Sequence, residues 1–191
     1  MVSPLLTLLP HPTTAAGPVR QLTAAVDVAA DGGLRLVYRL QADFDALRLP
    51  PATLPAAADG LWQHTCFEAF IARADEAAYL EFNFAPSGQW AAYRFCASRE
   101  RDPDAPPPQP PRLQQVRRES GTLIAEILLD PAALPPRAPE ARLQLGLSAV
   151  IESAGGKLAY WALHHPRPKP DFHDRRAFTA TLDWLPLPTH P

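Results

Sequence analysis

Alternation with a period of two across residues 61–95 constrains this chain more than any other feature. LWQHTCFEAF leads into AYLEFNF, the turn APSG and then QWAAYRF. In AYLEFNF, Leu80, Phe82 and Phe84 point to one face of a strand, and Tyr79, Glu81 and Asn83 to the other. Pro86 and Gly88 suit a tight reversal, so the two segments are expected to pair as a hairpin. With Phe84 set opposite Gln89, Asn83 faces Trp90, Glu81 faces Ala92 and Tyr79 faces Arg94. Glu81, Asn83, Trp90 and Arg94 then share one surface, while Tyr93 and Phe95 join the core side. A carboxylate, an amide, a guanidinium and an indole on one sheet face suit a polar ligand such as a sugar.

The same period recurs along the rest of the chain. Leu22, Ala24, Val26 and Val28 form one stripe and Leu34, Leu36, Tyr38 and Leu40 a second, separated by the turn residues Asp31-Gly32-Gly33. Val116–Glu119 and Leu123–Leu129 flank Ser120-Gly121 as another hairpin. Leu143, Leu145, Leu147, Ala149 and Ile151 make the longest alternation, which runs through Ala154-Gly155-Gly156 into Leu158–Leu163. Ala177–Leu182 is expected as the last strand, with Phe178, Ala180 and Leu182 on one face. Only Pro131-Ala132-Ala133-Leu134 suggests a helical turn. About ten strands at this spacing, with no amphipathic helix, predict an all-β, two-sheet antiparallel sandwich. The Pro- and Ala-rich stretch between Asp43 and Leu61 and the loop RDPDAPPPQPP cannot be central strands and are read as crossings between sheets.

Pairing Ile151 with Leu158 sets Ser148 opposite Trp161, away from Leu147 and Ala149, which makes Trp161 a second indole on the ligand face. Glu68 lies away from Phe67, Ala69 and Ile71 and joins the same face. The segment from His164-His165-Pro166 to Asp171-Phe172-His173-Asp174 is expected as a loop rim around that face, with His165 as a ligand contact. Its spacing fits no zinc signature, so no metal is expected. His64 is read as a hydrogen-bonded, half-buried histidine.

Composition removes several function classes. A single domain of 191 residues carries 18 basic and 20 acidic residues, and only two lysines. No basic patch points to nucleic acid, and no apolar run is long enough to span a membrane. The opening MVSPLLTLLPHP has no basic n-region and no small-residue cleavage site, so no secretory signal is read. The chain is therefore expected in the cytoplasm, with Cys66 and Cys96 as reduced thiols.

LWQHTCFEAF, YLEFNFAPSGQWAAYRF, LGLSAVIE and YWALHHPRPKPDFH resemble the bacterial DOMON-like domains, which are related to the family 9 carbohydrate-binding modules. The resemblance runs from about Ala24 to Leu182. It implies a β-sandwich with one concave sheet as the ligand face, and a sugar held between aromatic rings and bonded by acidic, amide and arginine side chains. Trp90, Trp161, Glu81, Asn83 and Arg94 have that chemistry. The expected activity is non-catalytic sugar binding, with no cofactor. Three rival readings stand beside it. Glu68 and Glu81 can be read as the carboxylate pair of a glycosidase or sugar-modifying enzyme. Exposed indoles can be read as a docking face for another protein. The DOMON superfamily also includes haem binders that use Met and His; Met1 is the sole methionine here, which leaves only a pair among His64, His164, His165 and His173.

Overall fold

A computed structural model of the chain describes residues 4–185, apart from the side chains of residues 113 and 114; Met1 lies outside that range. Fourteen strands are described: β1 Leu6–Thr7, β2 Leu9–Pro10, β3 Val19–Val28, β4 Leu34–Ala42, β5 Ala56–Ala57, β6 Cys66–Arg73, β7 Tyr79–Phe84, β8 Gln89–Ala97, β9 Glu100–Arg101, β10 Arg112–Glu119, β11 Thr122–Leu129, β12 Arg142–Glu152, β13 Leu158–Ala162 and β14 Ala180–Asp183. The smaller sheet runs β1-β3-β4-β11-β10. The larger runs β2-β13-β12-β6-β7-β8-β5, with β14 also on β12 and β9 on β8. All pairs are antiparallel except β5 with β8. The expected sandwich is the observed fold, and both Pro-rich stretches cross from one sheet to the other. Among the described residues no helix is long and apolar enough to cross a membrane.

The two inner faces close on the alternating stripes. Leu36, Tyr38 and Leu40 of β4 and Leu123, Ala125 and Ile127 of β11 meet Phe67, Ala69 and Ile71 of β6 and Leu143, Leu145 and Leu147 of β12, all buried. Tyr38 stacks on Phe67 with ring centroids 5.0 Å apart, and its hydroxyl donates to the Glu68 carbonyl at 2.7 Å. A phenol buried without that acceptor would cost free energy, so the bond ties the two sheets together at a fixed point.

A second, smaller core forms on the outer face of the larger sheet. Phe70, Tyr79 and Phe95 point outward from β6, β7 and β8 and are covered by Ala177 and Phe178, with Phe172 packed alongside. Residues 163–178 therefore return across this face as a strap. Arg175 pins it by donating to the carbonyls of Glu76 (2.7 Å) and Arg73 (3.1 Å) and to Gln144 Oε1 (2.8 Å). Phe178 belongs to this layer and not to the Ala180–Leu182 stripe, because Arg175–Ala177 is a short 3-10 turn and β14 starts only at Ala180. Gly146 makes room for the Phe178 ring: a Cβ there would lie 2.6 Å from Cδ1. Gly146→Ala is expected to lower stability by about 1–3 kcal/mol through overpacking, read by urea denaturation. An unchanged midpoint would mean the strap does not seat as described.

Both cysteines are free; Cys66 is buried on β6 and Cys96 is exposed on β8. They are not on neighbouring strands, since β7 lies between. His64 is hydrogen-bonded as expected, with Nδ1 2.8 Å from Glu152 Oε2, but its side chain is 64% exposed and not half-buried.

Candidate ligand-binding site

Antiparallel partners share a face, so the register decides which side chains meet. One row across the outer face of the larger sheet reads Ser148, Glu68, Asn83, Ala91. The next reads Gly146, Phe70, Glu81, Tyr93. Glu68, Glu81, Asn83 and Ser148 thus stand together on the strap side of the sheet, and Glu81 is the diagonal neighbour of Glu68.

Three other expected members of that face lie elsewhere. β8 pairs Trp90 with Phe84 and Arg94 with Leu80, which turns both towards the inner-face side, where they are half-buried near the sheet edge. Trp161 pairs with Ala149 and is 4% exposed within the main core. Conversely, Tyr93 and Phe95, expected on the core side, point to the outer face, as does Tyr160. His165 is committed to the fold: its Nε2 is 2.8 Å from the Leu9 carbonyl, and its ring packs edge-on against His11.

Between strap and sheet lies a cavity of about 560 Å³, within the range that holds small ligands. Its floor is Glu68, Phe70, Glu81 and Val150. Tyr160 and Phe95 rise on either side, Pro170, Phe172 and His173 of the strap form one wall, and Arg99, Arg101 and Trp62 stand at the mouth. Trp62 is 38% exposed and meets the Tyr93 ring edge-on at 6.2 Å, so its indole is fixed without being covered. The histidine-rich segment does border this face, through Phe172 and His173. Trp62, Tyr160, Phe172, Arg99 and Arg101 were outside the expected ligand set. Trp62 lies in a turn, where alternation says nothing, and the arginines lie beyond the paired part of the hairpin.

The two floor carboxyls are buried and short of partners. Glu68 is 2% exposed; the Ser148 hydroxyl donates to its Oε2 at 3.4 Å, and its Oε1 has no partner among the described residues. Asn83 donates from Nδ2 to Glu81 Oε1 at 2.8 Å, and its own buried Oδ1 has no donor among the described residues. Burial pushes the Glu68 carboxyl well above the usual carboxylate range, and the Glu81 charge adds to the effect. Burial likewise raises Glu81 to about 7, against the Asn83 hydrogen bond and the fields of Arg101 and Arg99. Near neutral pH this floor holds protonated carboxyl.

His173 is uncharged in this setting: burial, helped by Arg99, lowers it to about 4. The Arg99 backbone N–H donates to the Tyr79 hydroxyl oxygen at 3.0 Å, and that hydroxyl lies 2.8 Å from His173 Nδ1. The Tyr79 proton therefore goes to Nδ1, and the imidazole carries its own on Nε2, which faces Glu81 Oε2 at 3.7 Å. No group of three or more His, Cys, Asp or Glu among the described residues is placed to hold a metal ion.

No family model and no curated protein matches this chain. Several solved structures share its fold. A candidate carbohydrate-binding protein from Bacteroides uniformis superposes with a TM-score of 0.64 at 12% identity, over 94% of this chain and 85% of the other. A family 9 carbohydrate-binding module from Caldicellulosiruptor kristjanssonii in complex with cellotriose gives 0.60 at 9% identity, over 99% and 89%. The module from the same organism with glucose gives 0.57 at 8% identity, over 93% and 83%.

Proposed function

We propose that the protein is a non-catalytic carbohydrate-binding module, of the DOMON-like and family 9 kind its sequence resembles, and that the sugar lies in the cavity under the strap. The observation that carries this is the pairing of a buried carboxyl floor, in which Glu68 Oε1 has no partner among the described residues, with the rings of Trp62, Tyr160 and Phe172. A pyranose stacks its C–H face on such rings and turns hydroxyls to the floor, where one of them pairs with Glu68 Oε1, which has no partner among the described residues. Net gain per bond is ~0.5–1.5 kcal/mol, because each replaces a bond to water, so affinity is modest. Proteins of the same fold solved with cellotriose and with glucose support the ligand class.

The test is a monosaccharide and oligosaccharide screen by calorimetry and ligand-observed NMR. Trp62→Ala is expected to weaken binding about tenfold, a loss of ~1.4 kcal/mol, with a thermal midpoint close to wild type because the indole is partly exposed. Trp90→Ala should leave affinity unchanged, since that ring lies on the other side of the sheet. A wild type that binds no sugar ends this reading. Time-dependent cleavage of an oligosaccharide would replace it with the enzyme reading through Glu68 and Glu81.

A further inference from the structure

We propose that the cavity selects a protonated amine, so that its preferred ligand is an amino sugar; this deepens the carbohydrate reading and rests on it. The floor is short of hydrogen-bond partners. Glu68 lines the cavity, and its Oε1, like Asn83 Oδ1 on the neighbouring strand, is buried and unpartnered among the described residues. The donor facing Glu81 Oε2, His173 Nε2, is 3.7 Å away, too far for a hydrogen bond.

The fixed cations nearby already have acidic partners. Arg99 is 2.7 Å from Asp171. Arg101 lies 4.0 Å over the Tyr93 ring, with Asp59 at 3.8 Å. His173 is neutral. Among the described residues no charged group of the chain is bonded to either floor carboxyl, and a carboxyl that ionises there calls for a cation, because buried carboxylates are ordinarily paired with a cation or a metal. A sugar hydroxyl brings one donor and no charge. An ammonium brings three donors and a full positive charge, and the cavity it enters is lined by the aromatic rings of Phe70, Tyr160 and Phe172.

Binding is then coupled to proton release. The empty cavity holds carboxyl protons near neutral pH. When the ammonium enters, the carboxylate form is favoured, and each carboxyl that ionises gives one proton to solvent while the ligand keeps all its N–H bonds.

The experiment is calorimetry at about pH 6.5, where the floor is largely protonated, with D-glucosamine, D-glucose, N-acetyl-D-glucosamine and cyclohexylamine. Each is run in two buffers of different ionisation enthalpy. Glucosamine is expected to bind about tenfold or more tighter than glucose and N-acetylglucosamine, with a buffer-dependent heat that reports proton release. Glu68→Gln should collapse the glucosamine-to-glucose ratio to near one. Equal affinity for glucosamine and glucose, or a ratio unmoved by Glu68→Gln, overturns the amine proposal and leaves the sugar reading standing. Cyclohexylamine binding as tightly as glucosamine, with no binding of glucose, leaves the amine site and overturns the sugar reading. Binding of none of the four overturns both.

Discussion

Trp161→Ala will lower the free energy of unfolding by about 3–5 kcal/mol, the usual cost of truncating a large aromatic in a packed core. For a chain of this length that corresponds to a fall in thermal midpoint of roughly 6–20 °C. The indole is 4% exposed and sits among the residues between the two sheets, so its removal leaves a hole that the rigid strands β12 and β13 cannot close. Its Nε1 has no partner among the described residues, so no hydrogen bond is lost to add to the cavity term. Chemical denaturation with tryptophan fluorescence reads the change. Trp62→Ala, at the cavity mouth, is the contrast, with an expected stability change within ~0.5–1 kcal/mol. If Trp161→Ala proved nearly neutral in stability and lost the ligand, the register of the β12–β13 hairpin would be wrong by one residue.

That register is also where the sequence stopped being legible. The stripes of β3, β4, β6, β7 and β12 read correctly, because alternation within a strand is local and needs no partner. Which strand faces meet depends on loop length, and in two hairpins the loop shifts the pairing by one residue, in the same sense, from what the turn residues suggest. Ala85 N–H bonds to the Gln89 carbonyl at 2.9 Å, and Gly88 takes φ +105°. The loop is therefore the three residues Pro86-Ser87-Gly88, and Phe84 pairs with Trp90 instead of Gln89. Ser153 N–H bonds to the Lys157 carbonyl at 2.9 Å around Ala154-Gly155-Gly156, with Gly156 at φ +78°, so Leu158 pairs with Glu152 instead of Ile151. A three-residue reversal that ends on a left-handed glycine is a standard hairpin geometry. A one-residue slip sends every side chain of the second strand to the other face. It exchanged Trp90 and Arg94 for Tyr93 and Phe95, and Trp161 for Tyr160. Glu68, Glu81, Asn83 and Ser148 escaped the slip because they lie on β6, β7 and β12, whose faces were set by their own stripes. The strap was harder to place. Its prolines carry no period, and what seats it is long-range: the Arg175 guanidinium on carbonyls about a hundred residues away in sequence and the Phe178 ring over Gly146.

Glu68→Gln will stabilise the protein at alkaline pH and leave it nearly unchanged in acid. Glu68 and Glu81 bind their protons more tightly in the folded chain than in the unfolded one. Their contribution is fully present below the unfolded carboxyl value near 4.5 and is lost as pH rises, through about 7 for Glu81 and through the raised value of Glu68. His173 has the opposite sign. Its folded value of about 4 lies below the ordinary 6.5, so its contribution is present above 6.5 and is lost as pH falls through about 4. Between about pH 4.5 and 6.5 the slopes from Glu81 and His173 largely cancel, which leaves the decline there to Glu68. Above that window the histidine no longer titrates and the carboxyls act alone, so wild-type stability declines. A glutamine at position 68 keeps an oxygen for the Ser148 hydroxyl and brings an amide donor for Asn83 Oδ1, which stands directly across the strand pair. It carries no charge to desolvate, and relieving an uncompensated buried carboxylate is worth on the order of a few kcal/mol. Urea denaturation at about pH 5 and pH 9, chosen to bracket the titration, should show the variant and wild type nearly equal at the lower value and clearly separated at the higher. Parallel curves at both would mean that Glu68 stays ionised in the folded chain, and the neutral floor on which proton-coupled binding depends would be lost with it.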